Sequence, residues 1–140
     1  MQRIVLDTNV FITALRSQNG AGFKLLSQVD KERFRLVLSV PLVLEYEEVA
    51  KRQSRSLGLN HSDIDDIIDY LCAVGEHRRI FFLWRPLLRD PHDDLVLELA
   101  VEAQADAIVT YNIRDFGLAR TFGLDVLTPQ QFLRHLEVRE

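Results

Sequence analysis

Acidic side chains recur in this chain just where short apolar runs end. Ile4-Val5-Leu6 runs straight into Asp7. Glu45 falls early in a segment that follows the apolar run at residues 34–38. The pair Asp93 and Asp94 opens another segment behind Pro91, and Asp115 follows the run at 107–110 with Asn112 beside it. Carboxylates gathered at one place repel one another unless a cation neutralises them. Every candidate donor is an oxygen, with no Cys or His set, so the fitting ions are Mg²⁺ or Mn²⁺. A carboxylate-held divalent ion beside an open groove is suited to phosphoryl transfer, because it acidifies a bound water and stabilises a leaving oxygen.

The elements that must position these acids are legible as patterns. Residues 4–6, 34–38, 80–83, 107–110 and 125–127 are apolar runs of the kind found in strands buried on both faces of a parallel sheet. Between them lie segments of helical periodicity. The first is expected to be capped by Thr8 or Asn9. The second carries Phe23, Leu25, Leu26 and Val29. The third follows Ser39 and Pro41, the fourth follows Ser62, the fifth starts near Asp93 or Asp94, and the last follows Thr128 and Pro129. Strict alternation of strand and helix predicts one α/β domain over residues 1–140, a three-layer α/β/α sandwich with a mainly parallel sheet. In such a sheet the carboxyl ends of the strands share one edge, and Asp7, Glu45, Asp93 or Asp94, and Asp115 all map to it.

Composition narrows the function classes. The 140 residues are 47% hydrophobic and 27% charged, ordinary for a globular domain. No apolar run approaches the ~20 residues of a membrane span. No secretory leader is expected either, since Asp7 falls where its apolar region would lie. The single cysteine, Cys72, cannot pair within the chain, which points to a cytoplasmic protein. A net charge of −4 argues against a protein that coats nucleic acid, but not against a nuclease whose own acids lower the total. The basic run 51–55 reads as compensation of a helix C-terminus. Asp63, Asp65, Asp66 and Asp69 read as solvent-facing, Asp90 as a loop cap before Pro91, and His92 as a loop residue. A phosphotransferase of the haloacid-dehalogenase type needs a second acid two positions after the first, where this chain has Asn9. A dinucleotide site needs a glycine-rich first turn, and Asp7-Thr8-Asn9 is not one.

The ordered set Leu6-Asp7-Thr8-Asn9, Ser39 leading to Glu45, Asp93 opening an alanine-containing helix, and Ala107-Ile108-Val109-Thr110 followed by Asn112 and Asp115-Phe116 resembles PIN-domain nucleases. Among them it is most similar to the VapC-type toxins of bacteria and archaea, nearly end to end and including Leu127-Thr128-Pro129. The resemblance implies an Mg²⁺- or Mn²⁺-dependent endoribonuclease held inactive by a cognate antitoxin, with single-stranded RNA as substrate and a homodimer as a possible assembly. It implies Asp7, Glu45, Asp93 and Asp115 as the acidic quartet. Asp93 is preferred to Asp94 because it leaves Ala100 at the family's offset. Asn112 becomes a neighbour that orients water or a carboxylate, with Thr8, Asn9, Asp94 and Thr110 as supporting groups. Arg78, Arg79, Arg89 and Arg114 are the candidates for phosphate contacts. The alternative is a PIN fold that binds nucleic acid or protein without cleaving it.

Overall fold

The computed structural model describes residues 1–80 and 90–139. Its centre is strand β1 (Gln2–Leu6), in which Ile4, Val5 and Leu6 are wholly buried. An uninterrupted apolar run suits this place, because helices cover a parallel strand on both faces. The five strands lie in the order β3-β2-β1-β4-β5, and every pair is parallel. Here β2 is Phe34–Leu38, β3 Glu76–His77, β4 Ala107–Val109 and β5 Asp125–Leu127. The chain therefore steps outward from β1 to β3 and then returns to the far side of β1. The reversal falls between β1 and β4, whose register pairs Ile4 with Ala107 and Leu6 with Val109. The crevice outside the carboxyl ends at such a switch point is where open α/β sheets place their ligands.

Helices complete the α/β/α layers. They are α1 (Thr8–Arg16), α2 (Ala21–Leu26), α3 (Val40–Arg52), α4 (Ser54–Leu57), α5 (His61–Val74), α6 (Pro91–Glu102) and α7 (Pro129–Arg139). Helix α3 packs between α1 and α5, while α6 packs on β1 and β4. Thr128 and Gln131 cap α7 reciprocally, with Gln131 N donating to Thr128 Oγ1 at 3.2 Å and Thr128 N to Gln131 Oε1 at 2.9 Å.

Several local expectations are corrected. The cap of α1 is Asp7, not Thr8 or Asn9: its carboxylate accepts from Thr8 N, and Thr8 is already helical. The second helix ends at Leu26, and Val29–Lys31 forms a separate 3₁₀ turn. Helix α5 starts before Ser62, since Asn60 and Asp63 form a capping box that satisfies donors at both positions. The third strand was expected at residues 80–83, of which 81–83 lie outside the described residues. The strand described there is Glu76–His77, paired with Val37 and Leu38. Its polar dipeptide is held at the sheet edge by Arg3, whose Nε donates to Glu76 Oε2 at 3.0 Å, and by Arg78, which does the same at 3.0 Å.

Candidate metal centre at the switch point

Asp7 leaves β1 beside the end of β4, its N–H donating to Val109 O at 2.9 Å. Its two carboxylate oxygens have different work. Oδ1 caps α1 through Thr8 N at 2.8 Å, and Oδ2 accepts from Thr110 Oγ1 at 2.7 Å. Thr110 is fully buried, and its hydroxyl oxygen also accepts from Asn112 N at 2.9 Å. One threonine thus ties the first residue after β1 to the turn after β4. Asn9 adds a second strap, its Oδ1 accepting from Tyr111 N at 3.4 Å.

Glu45 arrives from α3. Ser39 caps this helix, its Oγ accepting from Leu42 N at 3.3 Å, and Pro41 sits in the first turn. Leu42, Glu45, Tyr46 and Ala50 form the buried stripe at helical spacing, so an acid occupies a core-facing position. Glu45 Oε2 accepts from the Thr8 hydroxyl, and Oε1 faces His92 Nδ1, which as the donor carries its proton there. Beneath them Tyr46 stacks on Phe11 with ring centroids 4.7 Å apart and donates its hydroxyl to Leu6 O. Burial, then the charges of Asp7 and Glu45, hold the Tyr46 hydroxyl well above its ordinary pKa, so it stays a donor.

Asp93 comes from α6. Asp90 caps that helix by accepting from His92 N at 2.9 Å, and Pro91 is its first residue, so the helix begins before the start expected at Asp93 or Asp94. Asp93 and Asp94 are both buried in the first turn, and only Asp93 lines the cleft. The cleft holds about 270 Å³ between Asp7, Glu45, His92, Asp93 and Asn112.

The electrostatics follow from this crowding. Burial, then the charges of Asp7, Asp90, Asp115 and Glu45, raise the Asp93 pKa to about 7. Burial also raises Asp7, opposed by its bonds from Thr110 and Thr8 and reinforced by Glu45 and Asp115. An all-oxygen donor set that is costly to ionise fits a hard divalent cation. Among the described residues, however, no three His, Cys, Asp or Glu side chains converge as a formed metal cage. Asp7 is turned onto its threonine partners, and Glu45 onto Thr8 and His92.

Other candidates stand apart from the cleft. Asp115 is exposed on the 3₁₀ segment Ile113–Phe122 and reaches the acids through its charge. Asp94 is buried one turn before Glu98, which is also buried. Arg78 is bonded to Glu76, while Arg79 and Arg114 are exposed and do not line the cleft. Arg89 lies outside the described residues. Sequence reasoning passed over three residues that the fold brings in: His92, Tyr46 and Arg52. The spacing of Tyr46 and Arg52 from Glu45, at i+1 and i+7 on one helix, carried some signal. His92 carried none, since its contact depends on how α6 meets α3.

A family model described as PIN domain matches residues 3–114. No curated protein matches the chain. Among solved structures, VapBC2 from Rickettsia felis bound to a DNA fragment from its promoter is similar at a TM-score of 0.64 and 15% identity, covering 91% of this chain and 98% of that one. VapBC-1 from nontypeable Haemophilus influenzae is similar at a TM-score of 0.61 and 18% identity, covering 92% of this chain and 99% of that one. At these identities the likeness is one of fold, and it is end to end. The matched family model takes in β1, α3, α6 and β4, the elements that carry Asp7, Glu45, Asp93 and Thr110, and the chain belongs to the PIN-domain family.

Proposed function

We propose that this chain is a divalent-metal-dependent endoribonuclease and the toxin half of a toxin–antitoxin pair. The observation that carries the reading is the meeting of Asp7, Glu45 and Asp93 from three separate elements in one cleft at the β1/β4 switch point. Membership of the PIN-domain family supports it, and the VapBC complexes that share the fold support an antitoxin partner.

Asp7, Glu45 and Asp93 would hold Mg²⁺ or Mn²⁺, with Asp115 adding negative potential from the rim. The ion supplies an activated water near neutral pH and positive charge for the phosphate undergoing attack. The protein's own residues do the positioning. Thr110 and the N-terminus of α1 fix the Asp7 carboxylate, and Thr8 with His92 fixes Glu45. Asn112 offers its amide at the cleft wall, its backbone set by Thr110 and the neighbouring Tyr111 held by Asn9. Asp94 lies buried in the first turn of α6, away from the cleft. Arg78, Arg79 and Arg114, which lie outside the cleft, would supply positive charge for an approaching strand, as would Arg89, which is outside the described residues. Single-stranded RNA is the substrate class, because splayed strands enter a narrow cleft that a duplex cannot.

Cleavage mapping on total cellular RNA tests the reading. Wild-type protein with Mn²⁺ should give discrete cuts, and protein in excess chelator or carrying Asp7→Asn should give none. Cuts that persist in both controls would remove the metal centre from the account. Purification from the native host should recover a bound antitoxin chain.

A further inference from the structure

Lys51 and Arg52 are adjacent, both cationic and both in the last turn of α3, yet they face apart. Lys51 Nζ lies 2.7 Å from Asp65 Oδ1 on α5 and 3.7 Å from Glu47 Oε1. Arg52 instead continues the line Glu45, Glu48, Val49, all of which wall the cleft with it. Seven residues at 1.5 Å rise put it roughly 10 Å along the helix from Glu45. The cleft therefore has an acidic head and, at its foot, an arginine paired with Glu48.

The Arg52 side chain is 64% exposed, and its ion pair is with Glu48 Oε1, 3.4 Å away on the preceding turn. An exposed i,i+4 pair is weak, so a stronger anion exchanges for it readily. A guanidinium presents a planar fork that binds phosphate through two hydrogen bonds. Arg16, in the last turn of α1, brings a second guanidinium to the same end of α3, donating to Gln53 Oε1 at 2.7 Å.

We infer that Arg52 binds a backbone phosphate of the RNA strand, one flanking the phosphate held at Asp7, Glu45 and Asp93. This rests on the nuclease reading and adds the direction in which the strand leaves the acids, along α3 toward its C-terminus. The basic run 51–55 is thus divided by the fold: Lys51 serves the α3–α5 contact, and Arg52 faces substrate.

The test is binding of a labelled single-stranded RNA of about ten nucleotides to the Asp7→Asn protein with Mg²⁺ present, followed by anisotropy. Salt is varied between about 50 and 200 mM. Adding Arg52→Ala should weaken binding roughly tenfold at the lower salt and reduce the slope of log affinity against log salt by about 0.7, the value of one single-strand phosphate contact. Arg52→Lys should keep the slope while binding more weakly, and Glu48→Gln should tighten binding. Lys51→Ala should leave affinity and slope as they were. If Arg52→Ala leaves the slope unchanged, or Lys51→Ala changes it equally, the assignment of Arg52 is wrong and the nuclease reading stands. If neither the Asp7→Asn protein nor the wild type binds RNA even at low salt, the nuclease reading fails and takes this inference with it.

Discussion

Asp93 carries a large electrostatic cost in the fold. In the unfolded chain it ionises near pH 4, whereas in the fold burial and its acidic neighbours raise that to about 7. Below pH 4 it is protonated in both states and contributes nothing. As the pH rises from there the unfolded chain loses the proton and the fold keeps it, so unfolding becomes progressively easier until the folded group also ionises near 7. Thermal melts in chelator should therefore fall across this window. Asp93→Asn should flatten the fall and melt higher than wild type at neutral pH, because relief of the burial cost of the charge, and then of repulsion, outweighs the ~0.3–1 kcal/mol an acid gains at a helix N-terminus. An unaltered pH profile in Asp93→Asn would place the strain elsewhere. Tyr46 is the complementary case, a polar group placed to satisfy and not to repel. Tyr46→Phe deprives the Leu6 carbonyl of its donor and should cost about 1–3 kcal/mol in urea denaturation with little change in m.

At the scale of elements, the caps tie stability to the site. Asp7 and Asp90 each cap a helix, α1 and α6, and each fixes the backbone from which a cleft residue projects. Strand β3 depends instead on close packing. Gly75 precedes it, and a Cβ added there would lie 2.6 Å from Leu38 Cδ1 and 2.9 Å from Leu71 O. Leu38 is fully buried and has no room to retreat. Gly75→Ala should destabilise by about 1–3 kcal/mol in denaturant unfolding, and a neutral effect would mean that β3 and α5 are not packed as described. This strand also marks where sequence reading fails. The runs at β1, β2, β4 and β5 are legible because burial demands apolar residues of them. Glu76–His77 is defined by backbone pairing with β2 and by Arg3 and Arg78, none of which leaves a local pattern. The caps of α1, α5 and α6 fall elsewhere than expected for a related reason, since Asp, Asn, Ser and Thr all suit the position and only the backbone decides among them.

At the scale of the whole molecule, sheet order turns distant residues into neighbours. Asp7, Glu45 and Asp93 were legible as acids behind strands or at helix starts, and parallel topology alone sends them to one edge. His92 meeting Glu45, and the division of Lys51 from Arg52, depend on how α6, α3 and α5 settle against one another, which no spacing encodes. Asp115 shows the converse, an acid in the expected place after β4 that the 3₁₀ segment leaves exposed. The central claim is that the acids at the β1/β4 switch form one divalent-cation site. Calorimetric titration of wild type and Asp93→Asn with Mn²⁺, paired with thermal melts of the same samples, tests it most directly. Wild type should bind saturably and gain roughly 2.7 kcal/mol of stability at a hundredfold excess over Kd, because the ion binds only the assembled site. Asp93→Asn should lose most of both responses. Equal Mn²⁺ binding and equal stabilisation in the two proteins would contradict the account and leave Asp93 as a residue of the α6 first turn alone.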